Sequence, residues 1–326
     1  MRNKLKLIAA LALILPAAAS TQTFQAPRHS GGPSPLLVAG SPADIQRRAD
    51  DGIQIERARS PAEELDELRK LDRALAALQP QRAGSIDAYV VVVSLDSDPV
   101  FGREARAAGE VLGRRYGASG RTIVLAGSDG RAASTLPRGT PNSLAITFAR
   151  IAELMDERED VLVLYTTSHG APFGLYYNDA DNGYGAISPN RLAGMLNGLG
   201  IRNRLLIISA CYAGVFVPRL QSETTAIITA ASSDRSSFGC VAENDWTFFG
   251  DAMINRALRA PQPLATAFEQ ARTLVAGWEM QIRGEPSNPQ VSIGANTARW
   301  LGVLEARLPP ASEPVGRPAL DTTRSR

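Results

Sequence analysis

Short apolar runs alternate with amphipathic stretches through the middle of the chain. The runs are rich in β-branched residues and occupy positions 88–95, 122–126, 161–166, 205–209, 226–229 and, more weakly, 291–293. Between them, apolar residues recur at helical spacing over 104–116, 142–155, 189–199, 246–258 and 264–282. Because apolar runs of this length between helices are typical of strands buried on both faces, the pattern predicts parallel strands connected by helices. We therefore expect one α/β domain over residues 85–305.

A separate helix is predicted ahead of this domain, in residues 60–84. Ser60 is a suitable N-cap, Pro61 suits the first turn, and Glu63 completes a capping box. Five leucines then follow one face, at Leu65, Leu68, Leu71, Leu75 and Leu78. We expect this leucine face to be buried, either as a removable propeptide or as a permanently docked helix.

The two ends of the chain have the composition of segments outside a folded domain. Residues 1–19 contain a positive start, a short apolar run over 7–15 and three alanines at 17–19, which is typical of a signal peptide. This predicts export to the periplasm or the exterior, and the apolar run is too short to span a membrane, so no stable membrane insertion of the mature chain is expected. Residues 20–59 are interpreted as a linker and residues 306–326 as a disordered tail.

Composition and charge exclude several classes of protein. Of the 326 residues, 44% are hydrophobic and 21% charged, which is ordinary for a globular protein. Removal of the three positive charges in residues 1–19 lowers the formal net charge from +2 to −1, which argues against nucleic-acid binding. Two cysteines are too few to hold a fold of this size together by disulfides.

The candidate chemistry lies where two predicted strands end. One strand leads directly to His169 and Gly170, and the next leads to Cys211. Parallel strands end at the same edge of a sheet, so these side chains are expected to meet. A thiol nucleophile requires a proton acceptor, and His169 is the only histidine in the predicted domain. The backbone N–H groups of Gly170 and Cys211 are candidates for an oxyanion hole.

Other interpretations of these residues stay open at this stage. Each residue alone is more often structural, and Cys211 could instead form a disulfide with Cys240 in an oxidising compartment. A zinc site lacks the paired ligand spacing that zinc requires, and residues 178–183 resemble only half of a calcium loop. No nucleotide-binding motif is present.

The motifs around these positions resemble those of the legumain-like C13 cysteine peptidases, which belong with the caspases. They are Ser-His-Gly at 168–170, Ser-Ala-Cys at 209–211, and Ser-Ser-Phe-Gly-Cys at 236–240 followed by Asp-Trp at 245–246. The resemblance implies a caspase-like three-layer α/β/α sandwich with a mostly parallel sheet, a peptide or protein substrate and no cofactor, and the ligand spacing considered above gives no reason to expect a metal. It also makes Cys211 the nucleophile, His169 the general base and acid, and Gly170 a contributor to the oxyanion hole.

The same resemblance implies a pocket for the substrate residue before the cleaved bond. Its matching positions are Arg103, Ser236 or Ser237, and Asp245. The family carries a glutamate where this chain has Ser209, so one carboxylate of that pocket is missing, and aspartate should be accepted beside asparagine. The family asparagine that orients the histidine has no clear match after Leu95; Asp96 and Asp98 stand in that region and are the candidates for its role.

These observations favour a secreted cysteine endopeptidase that acts through a thioester and prefers Asn or Asp. Two alternatives remain. One is a catalytically silent protein that uses the same fold to bind peptides. The other is a transpeptidase or transamidase, which would pass the acyl group to an amine.

Overall fold

The computed structural model describes residues 35–57, 59–179 and 182–321. The predicted signal peptide, the first part of the predicted linker and the last five residues lie outside these ranges. So do Ala180 and Asp181, at the centre of the loop compared with a calcium site.

A six-stranded sheet forms the centre of the molecule. Its strands are β2 (Ala88–Ser94), β3 (Thr122–Leu125), β4 (Val161–Thr167), β8 (Arg204–Ser209), β9 (Thr225–Thr229) and β10 (Gln290–Ile293). Their order across the sheet is β10-β9-β8-β4-β2-β3. All neighbours are parallel except β10, which runs antiparallel to β9. Val91, Leu164, Leu206 and Ile227 lie side by side across four strands and are fully buried. All six predicted strands are confirmed.

Helices cover both faces of this sheet. Successive residues of a strand face opposite sides of the sheet: Val90 and Val92 of β2 face one hydrophobic core, and Val91 and Val93 face the other. The first core is covered by α4 (Pro99–Arg115), a π-helical turn (Gly250–Arg256), α8 (Leu264–Gln281) and α9 (Ala298–Glu305). The second is covered by α3 (Pro61–Ala76), α5 (Pro141–Leu154), α6 (Pro189–Gly198) and the short α7 (Val217–Leu220). The predicted fold class, a three-layer α/β/α sandwich with a mostly parallel sheet, is confirmed.

A second, small antiparallel sheet follows directly from His169 and was not predicted. It contains β5 (Gly170–Ala171), β6 (Gly174–Asp179) and β7 (Gly183–Ile187), with β1 (Gln54–Glu56) paired to β7. These strands are short and rich in glycine and polar residues, so they lack the apolar runs that marked the central sheet. The loop after His169 is therefore a folded β-structure that also holds an N-terminal strand.

The N-terminal region is more structured than a linker. Residues 35–59, predicted as part of a linker, contain α1 (Pro35–Val38), α2 (Pro42–Asp50) and β1. Arg59, which is almost completely buried, then joins β1 to β6 through ion pairs with Glu56 and Asp179. Arg138, in the loop before α5, pairs with Glu64 of α3 and with Asp179. Strand pairing and buried charges therefore attach this region to the domain.

Helix α3 begins at the predicted capping box, in which Ser60 and Glu63 each accept a backbone N–H of the other. Leu71 and Leu78 are buried, but Leu65 and Leu68 are 46% and 62% exposed. The expectation of a continuous buried leucine face is therefore wrong for the first half of the helix. Only the C-terminal half of α3 packs on the core beside α5.

The described part of the C-terminal tail contacts the domain, in contrast to the predicted disorder. The indole of Trp246 donates to the Val315 carbonyl at 2.9 Å, and the Ala319 N–H donates to the buried Asp251 carboxylate at 3.0 Å. Ala319 and Leu320 are buried in the core beneath α4 and α8. Composition does not predict these contacts, because the two hydrogen bonds use backbone atoms of the tail and its two buried side chains are too few to form an apolar pattern.

Candidate active site

His169 lies just beyond the carboxyl end of β4. The Ser168 N–H donates to the Ser209 carbonyl at 3.2 Å, which continues the pairing of β4 with β8 to the residue before the histidine. The imidazole is half-buried, and its ring meets the buried Phe101 ring of α4 edge to face, with 5.1 Å between the centroids. The carbonyl of His169 accepts the Tyr176 N–H of β6 at 3.0 Å. Both the central and the small sheet therefore hold this residue.

Cys211 follows β8 on the neighbouring strand end. Its sulfur accepts the backbone N–H of Ser237 at 3.2 Å, and the Ser237 hydroxyl oxygen lies 3.6 Å away. The next residue, Tyr212, adopts a left-handed backbone conformation with φ of 57°. Its N–H donates to the Arg235 carbonyl at 2.7 Å. The half-buried thiol thus sits in a sharp turn that the segment 235–237 supports from one side.

The backbone of Gly170 brings the histidine and cysteine segments into contact. A Cβ atom at Gly170 would lie 2.1 Å from the Cys211 carbonyl oxygen, so only glycine allows this approach. Thr167 and Ser209 pair directly across β4 and β8, and each candidate residue lies two positions beyond that pair. The structure therefore brings His169, Gly170 and Cys211 together at one edge of the sheet.

Arg103 and Asp245 are also adjacent, and they form a salt bridge with 3.1 Å between Nε and Oδ1. Burial lowers the pKa of Arg103, and the Asp245 charge opposes that shift. Asp245 additionally pairs with Arg131 at 3.1 Å and accepts the Arg317 N–H of the tail at 2.9 Å. Both partners line a cavity of about 260 Å³. The charges of this pair therefore largely offset each other.

The two candidate serines have different environments. Ser237 contacts the Cys211 sulfur, as described above, whereas the Ser236 side chain is exposed. Neither of them lines the cavity that Arg103 and Asp245 share. The structure thus places Ser237 with the thiol and Arg103 with Asp245.

Both cysteines are free thiols in the structure. Burial raises the pKa of Cys240 well above its usual value, and the nearby charges of Cys211 and Glu104 act in the same direction. Within the described ranges, no group of three or more His, Cys, Asp or Glu side chains is placed to hold a metal ion. Asp96, considered for orienting the histidine, accepts the Asp98 N–H at 2.9 Å.

Glu104 is a fully buried carboxylate that the sequence analysis did not identify. One oxygen accepts hydroxyl hydrogen bonds from Tyr165 at 2.6 Å, Thr167 at 2.7 Å and Ser209 at 3.3 Å. The other oxygen accepts the Thr247 N–H at 2.7 Å. Tyr165 and Thr167 belong to the strand of His169, Ser209 to the strand of Cys211, and Thr247 to the segment of Asp245. One carboxylate of α4 therefore joins the segments that carry His169, Cys211 and Asp245.

A sequence signal for Glu104 existed. It lies at the same four-residue spacing as Val100, Ala108 and Leu112, all of which are buried on one face of α4. An acidic residue on the apolar face of a helix requires buried hydrogen-bond donors. Gly250 leaves room for this carboxylate, because a Cβ atom at position 250 would lie 2.2 Å from a Glu104 carboxylate oxygen.

Part of the chain is similar to a known protein family, and its fold is similar to a solved structure. The sequence model of the peptidase C13 family matches residues 141–298, which include His169, Cys211 and Asp245. No curated protein gives a significant sequence match. Among solved structures, the chain is similar to the crystal structure of caspase-1 from Spodoptera frugiperda, at 13% identity and a TM-score of 0.43. That similarity covers 66% of this chain and 92% of the caspase chain.

We predict that Glu104→Ala destabilises the protein by about 2–4 kcal/mol, because it leaves a cavity and an unsatisfied buried N–H at Thr247. Glu104→Gln should cost about 1 kcal/mol, since the amide oxygen can accept that N–H and the two amide hydrogens can be donated to two of the three hydroxyls. Urea denaturation measures both. The exposed Glu110 of the same helix supplies the control Glu110→Ala, which should have little effect. Equal losses for Glu104→Ala and Glu110→Ala would contradict the prediction.

Proposed function

The chain belongs to the peptidase C13 family, and we propose that it cleaves peptide bonds with Cys211 as the nucleophile and His169 as its proton partner. The family makes it a cysteine-type peptidase, a hydrolase that acts on protein substrates. The observation that carries the assignment of the two residues is their position at adjacent ends of β4 and β8, with Gly170 packed on the Cys211 carbonyl. Secretion, the dyad and the substrate preference are parts of this proposal.

In the proposed reaction, His169 accepts the proton of the Cys211 thiol. The resulting thiolate attacks the carbonyl carbon of the substrate, and the carbonyl π electrons move to oxygen. The N–H groups of Gly170 and Cys211 are the proposed donors to that oxyanion. Collapse of the intermediate breaks the C–N bond, and His169 protonates the leaving amine. Water, deprotonated by His169, then hydrolyses the thioester and restores the thiol.

The immediate surroundings support this use of Cys211. The Ser237 N–H points at the sulfur, and a hydrogen bond to a thiolate stabilises its charged, reactive form. The edge-to-face contact with Phe101 restricts the orientation of the His169 ring. Both groups therefore have fixed neighbours before a substrate binds.

We also propose that the Arg103 and Asp245 pair recognises the residue before the cleaved bond. A guanidinium donates hydrogen bonds and a carboxylate accepts them, so a primary amide, which does both, complements the pair. Asparagine fits this requirement, and aspartate fits it when protonated, at acidic pH.

We also propose that the protein is exported and that its signal peptide is removed. The residues of the predicted signal lie outside the described structure, and among the described residues no helix is both long and apolar enough to cross a membrane. We expect the mature protein to begin near Ser20, which N-terminal sequencing of protein recovered from a secretion-competent host can determine. Recovery in the cytoplasm with residues 1–19 intact would contradict export.

Substitution of the dyad tests the catalytic assignment. Cys211→Ala should abolish peptide hydrolysis and labelling by an irreversible thiol-directed peptide inhibitor. His169→Ala should lower turnover by about 10² to 10⁴ while the protein stays folded, because it removes general acid-base help. Cys240→Ala is the matched thiol control and should still be labelled. A correctly folded wild type that hydrolyses no peptide and is not labelled at Cys211 would instead indicate a silent peptide-binding protein.

Cleavage-site profiling in a denatured protein mixture at two pH values tests the preference. We expect cuts mainly after Asn at neutral pH and additional cuts after Asp at acidic pH, where protonation makes its side chain resemble an amide. Cuts mainly after Lys or Arg would contradict the role given to Arg103 and would leave the Cys211 assignment intact.

A further inference from the structure

We propose that the Ser237 hydroxyl donates a hydrogen bond to the Cys211 thiolate and thereby promotes formation of the nucleophile. This inference rests on the proposed function, because it concerns the same nucleophile. It gives Ser237 a role different from the substrate-binding role that the family resemblance implies for Ser236 or Ser237.

Three polar atoms of Ser237 surround the Cys211 sulfur. The backbone N–H donates to the sulfur at 3.2 Å, and the hydroxyl and carbonyl oxygens each lie 3.6 Å from it. The N–H and the hydroxyl can both stabilise a thiolate, because both can donate a hydrogen bond. The carbonyl can accept the proton of the uncharged thiol, but it cannot stabilise the charged form. Ser237 therefore offers the thiolate one backbone donor and one side-chain donor.

The backbone around Ser237 is fixed before a substrate binds. The Arg235 carbonyl accepts the Tyr212 N–H at 2.7 Å, and the Phe238 carbonyl accepts the Phe248 N–H at 3.0 Å. The rings of Phe238 and Phe248 also pack together, with 6.2 Å between their centroids. The chain is therefore anchored on both sides of Ser237, which keeps its hydroxyl beside the sulfur.

The surroundings of the Ser237 hydroxyl favour a role at the nucleophile. The residue is half-buried, and it does not line the cavity that Arg103 and Asp245 share. Within the described part of the chain, the one hydrogen-bond contact of this hydroxyl is with the Cys211 sulfur. In the reaction, the thiol proton passes to His169 and Ser237 keeps its own proton. The hydroxyl therefore acts only through the hydrogen bond that it donates.

The charged and titratable groups around the two thiols remain when Ser237 is replaced. Burial raises the pKa of Cys240, and the nearby charges of Cys211 and three carboxylates act in the same direction. These groups are the His169 imidazole, the Arg235 guanidinium, the two thiols and the carboxylates of Asp96, Asp98 and Glu104. Because serine is neutral, its replacement changes the hydrogen bonding of the sulfur without changing any formal charge.

Alkylation of Cys211 by iodoacetamide tests this contact and requires no peptidase activity. The reagent is uncharged, and trypsin places the two cysteines on separate peptides, 205–219 and 236–256, so mass spectrometry follows Cys211 alone. In Ser237→Ala, loss of one donor should shift the pH profile of Cys211 alkylation upward by about one pH unit. The rate should fall about threefold at neutral pH and rise about threefold at high pH, because a less stabilised thiolate is less abundant but more nucleophilic.

Two further variants make the result specific to the hydroxyl. Ser237→Thr keeps a hydroxyl and should retain the wild-type profile. Ser233→Ala, at an exposed serine of the same segment, should have no effect. Urea denaturation checks that each variant is folded. An unchanged profile in Ser237→Ala, a rate changed by one factor at every pH, or an equal shift in Ser237→Thr would overturn the proposal.

Peptide hydrolysis separates this role from a role in substrate recognition. On peptides with Asn or Asp before the cleaved bond, Ser237→Ala should lower kcat/KM at pH 7 by the same factor, about threefold. A changed Asn-to-Asp ratio would instead assign the hydroxyl to the substrate pocket and overturn the proposal. Wild-type protein that cleaves neither peptide would overturn the proposed function, and the alkylation profiles would still decide whether Ser237 acts on Cys211.

Discussion

A buried carboxylate costs free energy unless each of its oxygens is hydrogen-bonded, and this requirement organises the edge of the sheet. Glu104 meets it only when β4, β8 and the segment after Asp245 present their donors together. These segments are far apart in the sequence. The same hydrogen bonds that stabilise the carboxylate therefore also fix the relative positions of the His169, Cys211 and Asp245 segments.

Two backbone constraints act on top of this arrangement. Gly170 must lack a side chain so that the histidine loop can contact the Cys211 carbonyl. Tyr212 holds a left-handed conformation that costs a non-glycine residue about 1 kcal/mol or more, and its N–H is bonded to the Arg235 carbonyl. Strain of this kind persists only where surrounding contacts impose it. The segment 235–237 therefore stabilises the left-handed turn after β8, and its Ser237 N–H donates to the Cys211 sulfur.

The central sheet could be predicted because its strands are buried on both faces and are therefore continuously apolar. His169 and Cys211 could be found because parallel strands end at one edge, so two reactive residues at strand ends are brought together by topology alone. The strands β5 to β7 could not be found, since their glycines and polar residues leave no continuous apolar run. Glu104 was missed because its partners come from four positions between Tyr165 and Thr247, and no local pattern contains them. The salt bridge between Arg103 and Asp245 and the contact of the tail with Asp245 also join residues far apart in the sequence, so no local pattern predicts them.

The small sheet connects the N-terminal region to the histidine loop. Its order, β1-β7-β6-β5, places the N-terminal strand at one edge and Gly170, beside His169, at the other. Arg59 and Arg138 both pair with Asp179, at the end of β6, so removal of residues 54–64 would expose the β7 edge and leave that carboxylate with fewer cationic partners. A removable propeptide is expected to be joined to the domain by an exposed segment with few contacts, where a protease can cleave it. The ion pairs and strand pairing at this boundary instead favour a segment that stays docked and supports the loop holding His169.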